Sequence, residues 1–285
     1  MRENEAWSVD HGHEIYEVIS ELLLRDFPAE TFREIAKSLT ESCKDGCEIT
    51  AVLFLICPEP LEKRKGKILT GKEEFGVALN KRSRYVLQPG DLCFPGGGIK
   101  EPLDSILSLI AMPFQTNFSL YPLKIRRVLS LLAVTALREA WEEVRLNPFK
   151  VRLCGVLTPY RLVMFRKAIV PVVGLVDTPV LMRKNSYEVE KIVWIPFSEL
   201  LDPSRYARYR LYNYPAGSAS LDQYQDFMCF IHQDGVGTEI LWGATFRMVM
   251  DFLEKFFDFC PPPPETLPIV PGVLSDRYLV GRKKE

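Results

Sequence analysis

The chain is poor in histidine, with three among 285 residues, and its seven cysteines are scattered. Cys43 and Cys47 form the one close pair, and no histidine lies at a spacing that zinc sites use. The sequence therefore contains no spacing pattern of a zinc site built from Cys and His ligands. Dispersed cysteines in an odd number are typical of reduced thiols, so we expect a cytoplasmic protein without a disulfide framework.

The sequence also lacks an excess of charge and long apolar runs. Its formal net charge is −1 at pH 7, which gives no general attraction to nucleic acid or to an acidic membrane. Residues 62–67 are mostly basic, and a run of this length is expected in a solvated hairpin loop. The longest apolar stretches, such as 51–57, are too short to span a bilayer. We therefore expect neither a nucleic-acid partner nor a membrane partner.

Hydrophobic residues make up 47% of the chain, enough for the core of one large domain with appendages. Their periodicity predicts helices over 13–44, broken at Phe27-Pro28. Strands are predicted near 49–57, 75–80, 91–94, 151–158, 168–177, 190–195, 226–232 and 236–241. A last helix is predicted over 243–257, and the proline-rich tail that follows is expected to be extended or docked.

Residues 135–146 read TALREAWEEVRL and place three glutamates behind Arg138. At the spacing i, i+3 and i+4, a helix brings Glu139, Glu142 and Glu143 onto one face. Three close negative charges repel one another, so this face is predicted to bind a cation. Carboxylate oxygens suit Mg²⁺ or Mn²⁺. A solvated acidic helix held by salt bridges is the alternative.

A run of glycines lies upstream, in the sequence Phe94-Pro95-Gly96-Gly97-Gly98. We expect a flexible loop in which Gly96, Gly97 and Gly98 bring backbone N–H groups close to a phosphate. An ordinary turn after a strand is the alternative. A glycine loop next to an acidic helix suits metal-assisted hydrolysis of a phosphoanhydride.

These segments resemble the Nudix hydrolases, and among them the coenzyme A pyrophosphatase branch. The resemblance rests on Lys81-Arg82-Ser83, Phe94-Pro95-Gly96-Gly97, Glu101-Pro102-Leu103-Asp104, Thr135-Ala136-Leu137-Arg138-Glu139, Ile169-Val170-Pro171-Val172-Val173-Gly174-Leu175, Trp194-Ile195-Pro196-Phe197-Ser198-Glu199-Leu200-Leu201 and Leu241-Trp242-Gly243-Ala244-Thr245. It extends from about residue 47 to 255. It implies an α/β fold, a Nudix-type α/β/α sandwich with a mixed central sheet, to which this chain adds N-terminal helices.

The resemblance implies divalent-metal-dependent hydrolysis of the diphosphate of coenzyme A or acyl-CoA, giving 3′,5′-ADP and 4′-phosphopantetheine or its acyl form. Glu142 and Glu143 are then the first candidates for metal ligands, Glu139 is a ligand or the base, and Arg138 orients a neighbouring glutamate. A first alternative is another nucleotide substrate, such as ADP-ribose, NADH or a dinucleotide polyphosphate. A second is a catalytically silent Nudix domain that binds its ligand.

Four further charged residues, Arg82, Arg84, Glu188 and Glu190, are candidates for the site. Arg82 and Arg84 follow a predicted strand, and we expect Arg82 to bind a phosphate through two donors unless both are surface charges. Glu188 and Glu190 precede a later strand, where some Nudix enzymes carry the general base. At least one of these two is expected to be a surface charge.

The sequence departs from the family pattern at one residue after the paired glutamates. Arg145 stands where the family has a glycine that ends the helix in a left-handed cap. We expect the helix to run on to Asn147-Pro148, which stops it instead.

The second departure is an insert, residues 105–134, which separates Asp104 from Thr135 and leaves the role of Asp104 open. The insert is predicted to contain a helical part over 106–112 and a second helix that begins near Leu123 and continues into the acidic segment. We expect it to pack on the domain; covering an acyl or pantetheine chain and burying a homodimer interface are the alternatives. The expected divisions are an N-terminal helical segment (1–46), a Nudix domain (47–258) and a proline-rich tail (259–285).

Overall fold

The structure is a computed structural model that describes residues 11–40, 48–61, 74–111, 118–119, 121–162, 167–212, 224–274 and 278. Its helices are α1 (Gly12–Arg25), α2 (Ala29–Thr40), α3 (Leu103–Ala111), α4 (Leu123–Val144), α5 (Phe197–Leu200) and α6 (Gly243–Phe257). Its strands are β1 (Glu48–Pro58), β2 (Phe75–Arg82), β3 (Leu92–Cys93), β4 (Gly96–Gly98), β5 (Arg152–Val156), β6 (Tyr160–Leu162), β7 (Lys167–Leu175), β8 (Val189–Pro196), β9 (Tyr206–Tyr212), β10 (Tyr224–Gln233), β11 (Thr238–Trp242) and β12 (Ile269–Val273). The basic run 62–67, the pair Cys43 and Cys47, and the end of the tail lie outside the described residues.

The first sheet is centred on β1, whose side chains are nearly all buried. Strand β1 pairs antiparallel with β2 and parallel with β7, so the sheet is mixed, as predicted. Its main path is β3-β2-β1-β7-β5, with β4 paired to β1, β6 to β7 and β8 to β2. Successive side chains of β1 alternate between the two faces, with Phe54 and Ile56 on one and Leu53 and Leu55 on the other.

Helices cover both faces of this sheet. Helix α1 buries Ile15, Ile19 and Leu23, spaced four residues apart, in the same core as α6. Helices α2 and α4 cover the opposite face, where Phe32 and Leu132 are fully buried. The predicted α/β/α sandwich with a mixed sheet is therefore confirmed. None of the helices that the structure describes combines the length and hydropathy needed to cross a membrane.

A second sheet has the strand order β11-β10-β9-β12. Of its four strands, only β10 and β11 were predicted. Strand β12 lies in the proline-rich tail and pairs parallel with β9, so the tail is docked. Tyr278, further along, is buried with Leu211 and Leu274, and Trp242 packs against this core. The two sheets are linked by the buried Glu239, which pairs with Lys81 and Lys191.

One expectation about the helices is wrong, and a second is confirmed in part. Helix α4 ends at Val144 rather than running to Asn147, because Arg145 itself takes the left-handed conformation, at φ 57°. The guanidinium of Arg145 then lies over the Trp141 ring, 5.1 Å from its centroid. The insert does pack, since α3 contacts α4, but α3 buries the polar Asp104 and Ser108 and leaves its apolar residues exposed.

Candidate active site

Strand β4 lies between β1 and the acidic face of α4, and this position explains its glycines. A Cβ atom at Gly96 would lie 2.4 Å from the carbonyl oxygen of Ala51. A Cβ atom at Gly97 would lie 2.7 Å from the carboxyl carbon of Glu139. The expected flexible loop is therefore wrong: Gly96, Gly97 and Gly98 form a strand paired with β1, and they allow the backbone to approach Glu139 closely.

Arg138 occupies the centre of the site and is almost completely buried. Its Nη1 atom donates to Glu139 at 2.6 Å and to Glu142 at 3.2 Å, and its Nη2 atom donates to the carbonyl of Gly98 at 3.2 Å. On its other side, Nε and Nη2 donate to the two carboxylate oxygens of Asp104 at 2.7 and 3.0 Å. The guanidinium thus connects the glutamates, β4 and α3 through charge-assisted hydrogen bonds.

Asp104 has all of its contacts inside the protein. Besides Arg138, it accepts hydrogen bonds from the backbone N–H of Lys100 at 2.8 Å and from the hydroxyl of Thr135 at 3.0 Å. Burial alone would raise the pKa of Asp104, but the bonds from Arg138, Lys100 and Thr135 outweigh it and lower the pKa. These contacts support a role in holding Arg138 rather than a role as a metal ligand.

Glu142 is the most accessible of the three glutamates, with 41% of its side chain exposed. The ammonium of Lys100 lies 2.7 Å from Glu142 and 3.7 Å from Glu139. Burial opposes the charge of Glu142, but the hydrogen bonds from Lys100 and Arg138 lower its pKa. Sequence reasoning missed Lys100, whose only signal was its place two residues after the glycines.

Glu143 lies where the glutamate cluster meets the sheet, next to strand β2. Its carboxylate accepts a hydrogen bond from the side-chain amide of the buried Asn80 at 2.6 Å. Burial raises the pKa of Glu143 to about 8, and repulsion from Glu139 and Glu188 adds to the shift. The nearby charge of Arg82 opposes the shift without cancelling it. A cation bound here would favour the charged form of Glu143 and offset its repulsion from Glu139 and Glu188.

The other predicted residues are divided between the site and its surroundings. Arg82 is close enough to act electrostatically on Glu143, but its Nε atom donates to the carbonyl of Leu87 at 2.7 Å. Arg84 is exposed and donates to the Tyr85 hydroxyl, away from the carboxylates. Glu188 is the closer of the two later glutamates, since it acts on Glu143.

Glu190 instead pairs with Lys81 at 3.5 Å, in the ion-pair network that links the two sheets. Its side chain is 49% exposed. The structure thus separates the two later glutamates, placing Glu188 beside the carboxylate cluster and Glu190 outside it.

A segment after β7 covers the C-terminal end of α4. The backbone N–H groups of Arg183 and Asn185 donate to the carbonyls of Val144 and Glu143 at 2.8 and 2.9 Å. The side chain of Asn185 donates to the carbonyl of Glu142 at 2.9 Å. The last carbonyls of a helix have no partner within the helix, and here these three hydrogen bonds supply one. They fix Glu142 and Glu143 in position.

Within the described part of the chain, no three His, Cys, Asp or Glu side chains are already arranged as a metal site. Arg138 and Lys100 instead neutralise part of the charge of Glu139 and Glu142. The donor atoms are carboxylate oxygens, and burial, together with repulsion from Glu139 and Glu188, raises the pKa of Glu143. In chemistry and charge, these residues fit a hard divalent cation.

Comparison with known proteins finds relatives that match about half of the chain. No family model matches the chain. The chain is 32% identical over 148 residues to the peroxisomal coenzyme A diphosphatase NUDT7 of Mus musculus, covering 52% of this chain and 48% of that protein. It is 31% identical over 141 residues to the peroxisomal coenzyme A diphosphatase ndx-8 of Caenorhabditis elegans, covering 49% of each.

A bacterial relative is the uncharacterized Nudix hydrolase NudL of Enterobacter sp. (strain 638). It is 31% identical over 150 residues, which cover 51% of this chain and 64% of that protein. The chain thus spans about half the length of the two animal relatives and less than two thirds of the bacterial one.

Proposed function

Since the chain is a relative of the Nudix hydrolases over about half of its length, we propose that it is a divalent-metal-dependent pyrophosphohydrolase. Its proposed substrate is coenzyme A or acyl-CoA, whose diphosphate is cleaved to 3′,5′-ADP and 4′-phosphopantetheine or its acyl form. The observation that carries the proposal is the set of three glutamates on α4, two of them held by Arg138, against the glycines of β4.

The proposed roles follow from the contacts of each side chain. Glu139, Glu142 and Glu143 would hold Mg²⁺ or Mn²⁺, with Glu139 also a candidate for the base. Bound there, the cation would neutralise charge on the phosphate oxygens and lower the pKa of its water. Arg138, fixed by Asp104, is a positioning residue that sets the direction of Glu139 and Glu142.

The substrate side of the site is proposed from β2 and β4. Arg82 supplies positive charge next to Glu143, where it would contact a phosphate once its Nε atom leaves the carbonyl of Leu87. Gly96, Gly97 and Gly98 are proposed to contact a phosphate through their backbone, and Gly97 lets that backbone approach Glu139 closely. Glu188 is a second candidate base, because it lies near Glu143 on the loop before β8.

Two observations favour this proposal over the alternatives. The two animal relatives bear the name coenzyme A diphosphatase, which favours that substrate over ADP-ribose, NADH or a dinucleotide polyphosphate. The three adjacent carboxylates Glu139, Glu142 and Glu143 argue against a silent binding domain, which has no need of them. The proposed partner is accordingly a nucleotide-containing small molecule.

The test is product analysis by mass spectrometry on the full chain with coenzyme A, acetyl-CoA, ADP-ribose, NADH and a diadenosine polyphosphate. Each substrate is incubated with Mg²⁺, with Mn²⁺ and with EDTA. We expect 3′,5′-ADP to be released from coenzyme A or acetyl-CoA. EDTA should abolish this release. If only another substrate is hydrolysed, the proposed substrate is wrong but the proposed hydrolase activity stands. If no substrate is hydrolysed, the proposed hydrolase activity is wrong.

The wider organisation is proposed on the same basis. We propose that residues 47–258 form the Nudix domain, with 1–46 and 259–285 as appended segments. Helix α1 and strand β12 show how closely both segments pack on that domain. Cytoplasmic location and the absence of a nucleic-acid partner stay predictions.

A further inference from the structure

The turn that connects β2 to β3, residues 83–91, is closed on Arg82 by three hydrogen bonds. The backbone N–H of Arg82 donates to the carbonyl of Asp91 at 2.9 Å, and the carbonyl of Arg82 accepts from Gly90 at 2.9 Å. The side-chain Nε atom donates to the carbonyl of Leu87 at 2.7 Å. This last bond holds the guanidinium that the proposed function assigns to a phosphate, so a contact that fixes the Leu87 carbonyl also fixes Arg82.

Tyr278, in the tail, fixes the peptide group that carries this carbonyl. The Leu87 carbonyl and the Gln88 N–H belong to one peptide group, and the Gln88 N–H donates to the carbonyl of Tyr278 at 2.8 Å. The peptide group is thus held at both ends, by Arg82 through its oxygen and by Tyr278 through its nitrogen. Its orientation therefore depends on the docking of the tail.

The side chain of Tyr278 anchors this contact. It is 6% exposed and packs with Leu211 and Leu274 of the second core. Its hydroxyl donates to the carboxylate of Asp91, which also accepts from Nε1 of Trp242 at 3.1 Å. The anchor joins the tail to the second sheet and to the end of the turn 83–91, so the loss of this side chain should release the Tyr278 carbonyl from Gln88.

Gln88 has a backbone conformation that needs such a contact. Its φ is 53°, in the left-handed region that residues other than glycine seldom adopt. The other non-glycine residues with positive φ in the described part of the chain, Arg145 and Asp258, cap the ends of helices, where this conformation is common. Rotation of a peptide group in a turn, as between types II and I, returns the following residue to negative φ. Gln88 therefore favours the rotated peptide once Tyr278 leaves.

We propose that Tyr278 is a positioning residue that holds Arg82 away from the substrate. While Tyr278 is docked, the Leu87 carbonyl competes with a phosphate for the Nε atom of Arg82. When Tyr278 leaves, the peptide group of Leu87 and Gln88 rotates, and the guanidinium becomes available to a phosphate beside Glu143. The docked tail thus lowers the affinity for substrate. The inference rests on the proposed function, in which Arg82 contacts the diphosphate.

The first readout does not depend on hydrolysis. NMR on the full chain measures hydrogen exchange of the arginine Nε–H groups, and the Arg82 signal is identified by its absence from Arg82→Lys. In Tyr278→Ala this group should exchange about tenfold faster than in the wild type, because its bond to the Leu87 carbonyl is lost. Tyr224→Ala is the matched control and should exchange like the wild type, because Tyr224 is 52% exposed in β10, where it contacts Arg210.

Two variants of Gln88 test the same device with Tyr278 in place. Gln88→Val should speed the exchange of the Arg82 Nε–H group, because a β-branched residue disfavours positive φ. Gln88→Gly should slow it, because glycine adopts positive φ without strain. Since Gln88 lies in a partly exposed turn, this pair also decides the matter if Tyr278→Ala does not fold, which thermal unfolding and circular dichroism check.

The second readout is the KM for coenzyme A. Tyr278→Ala should have a KM about fivefold lower than the wild type with an unchanged kcat, because only uniform binding improves. Gln88→Val should lower KM as well, and Gln88→Gly should raise it. In the background of Arg82→Gln, Tyr278→Ala should have no further effect on KM. A tail contact that only stabilises the fold would not shift KM in opposite directions, nor would its effect depend on Arg82.

The proposal is overturned if the Arg82 Nε–H group exchanges equally fast in the wild type, Tyr278→Ala and Gln88→Val. It is also overturned if the exchange changes as expected and KM stays the same. If no variant hydrolyses coenzyme A, the proposed function is wrong, and the exchange rates alone decide whether Tyr278 holds Arg82. The two failures are therefore distinguishable.

Discussion

Asp104 and Arg138 form a buried two-point ion pair, with N–O distances of 2.7 and 3.0 Å, although 34 positions separate them in the chain. The pair joins the first turn of α3 to the middle of α4. It also directs the remaining guanidinium nitrogen, Nη1, at Glu139 and Glu142. One contact thus attaches the insert to the domain and orients the candidate catalytic glutamates.

The first prediction concerns this pair. Replacing Asp104 with Ala should lower the free energy of unfolding by about 3 kcal/mol, because it removes the two-point ion pair of the buried Arg138 and leaves Nε without its acceptor. Urea denaturation monitored by circular dichroism measures the change. Replacing the exposed Glu21 of α1 with Ala serves as the control and should change stability by less than about 0.5 kcal/mol. A loss of similar size in both variants would contradict the role given to Asp104.

The second prediction concerns Glu143 and is independent of catalysis. In the Gln variant, the side-chain carbonyl can still accept from Asn80, while the repulsion with Glu139 and Glu188 disappears. The metal-free protein should therefore melt at a higher temperature than the wild type, and Mg²⁺ should raise its melting temperature less. Thermal scans with EDTA and with Mg²⁺ give both quantities. An unchanged response to Mg²⁺ would exclude Glu143 from the metal site.

The third prediction concerns the end of α4. Arg145 holds a left-handed conformation, which costs a non-glycine residue about 1 kcal/mol relative to glycine. Arg145→Gly removes this strain but also the contact with Trp141, whereas Arg145→Ala keeps the strain and loses the contact. The Gly variant should therefore be more stable than the Ala variant by about 1 kcal/mol in urea denaturation. The reverse order would show that position 145 does not hold this cap in solution.

The fourth prediction is a pH dependence of stability that originates at Asp91. Burial raises the pKa of Asp91 to about 6, against hydrogen bonds from Tyr278 and Trp242 that favour the charged form. A carboxyl whose folded-state pKa is raised contributes stability at low pH that is lost as the pH rises from about 4 to about 6. The loss amounts to about 3 kcal/mol at most.

The variant Asp91→Asn should lack this decrease of stability with rising pH. Its free energy of unfolding, relative to the wild type, should rise between about pH 4 and pH 6. Denaturation curves at several pH values measure this difference. A difference that stays constant over the whole range would contradict the assignment to Asp91.

Much of the architecture could be predicted from local patterns. Helix α6 was predicted at its observed bounds, and the start of α4 at Leu123 followed from periodicity that continues into the acidic segment. Strand β12 was missed because its sequence contains proline and glycine, and the strand forms only by pairing with β9. The cap at Arg145 was missed because an arginine seldom adopts a left-handed conformation.

The same holds for the site: features set by residues close in sequence could be predicted, and contacts between residues far apart in sequence could not. The spacing of Glu139, Glu142 and Glu143 is local and was read correctly as one segment of helix. Their partners Asn80 and Lys100 come from other parts of the chain, and no spacing relates them to α4. The exposure of the α3 aliphatics depends on which side of the helix meets α4, and the bond between Asp104 and Arg138 decides that.

The most direct test of the account is the Mg²⁺-dependent release of 3′,5′-ADP from coenzyme A by the wild type, Glu142→Gln and Glu21→Gln, measured side by side. Glu142 is partly exposed, so its replacement should leave the fold intact. We predict a loss of at least about a hundredfold in kcat for Glu142→Gln, with wild-type activity for Glu21→Gln and no activity with EDTA. Equal turnover by the wild type and Glu142→Gln would contradict the claim that the glutamates of α4 form a metal-dependent catalytic centre.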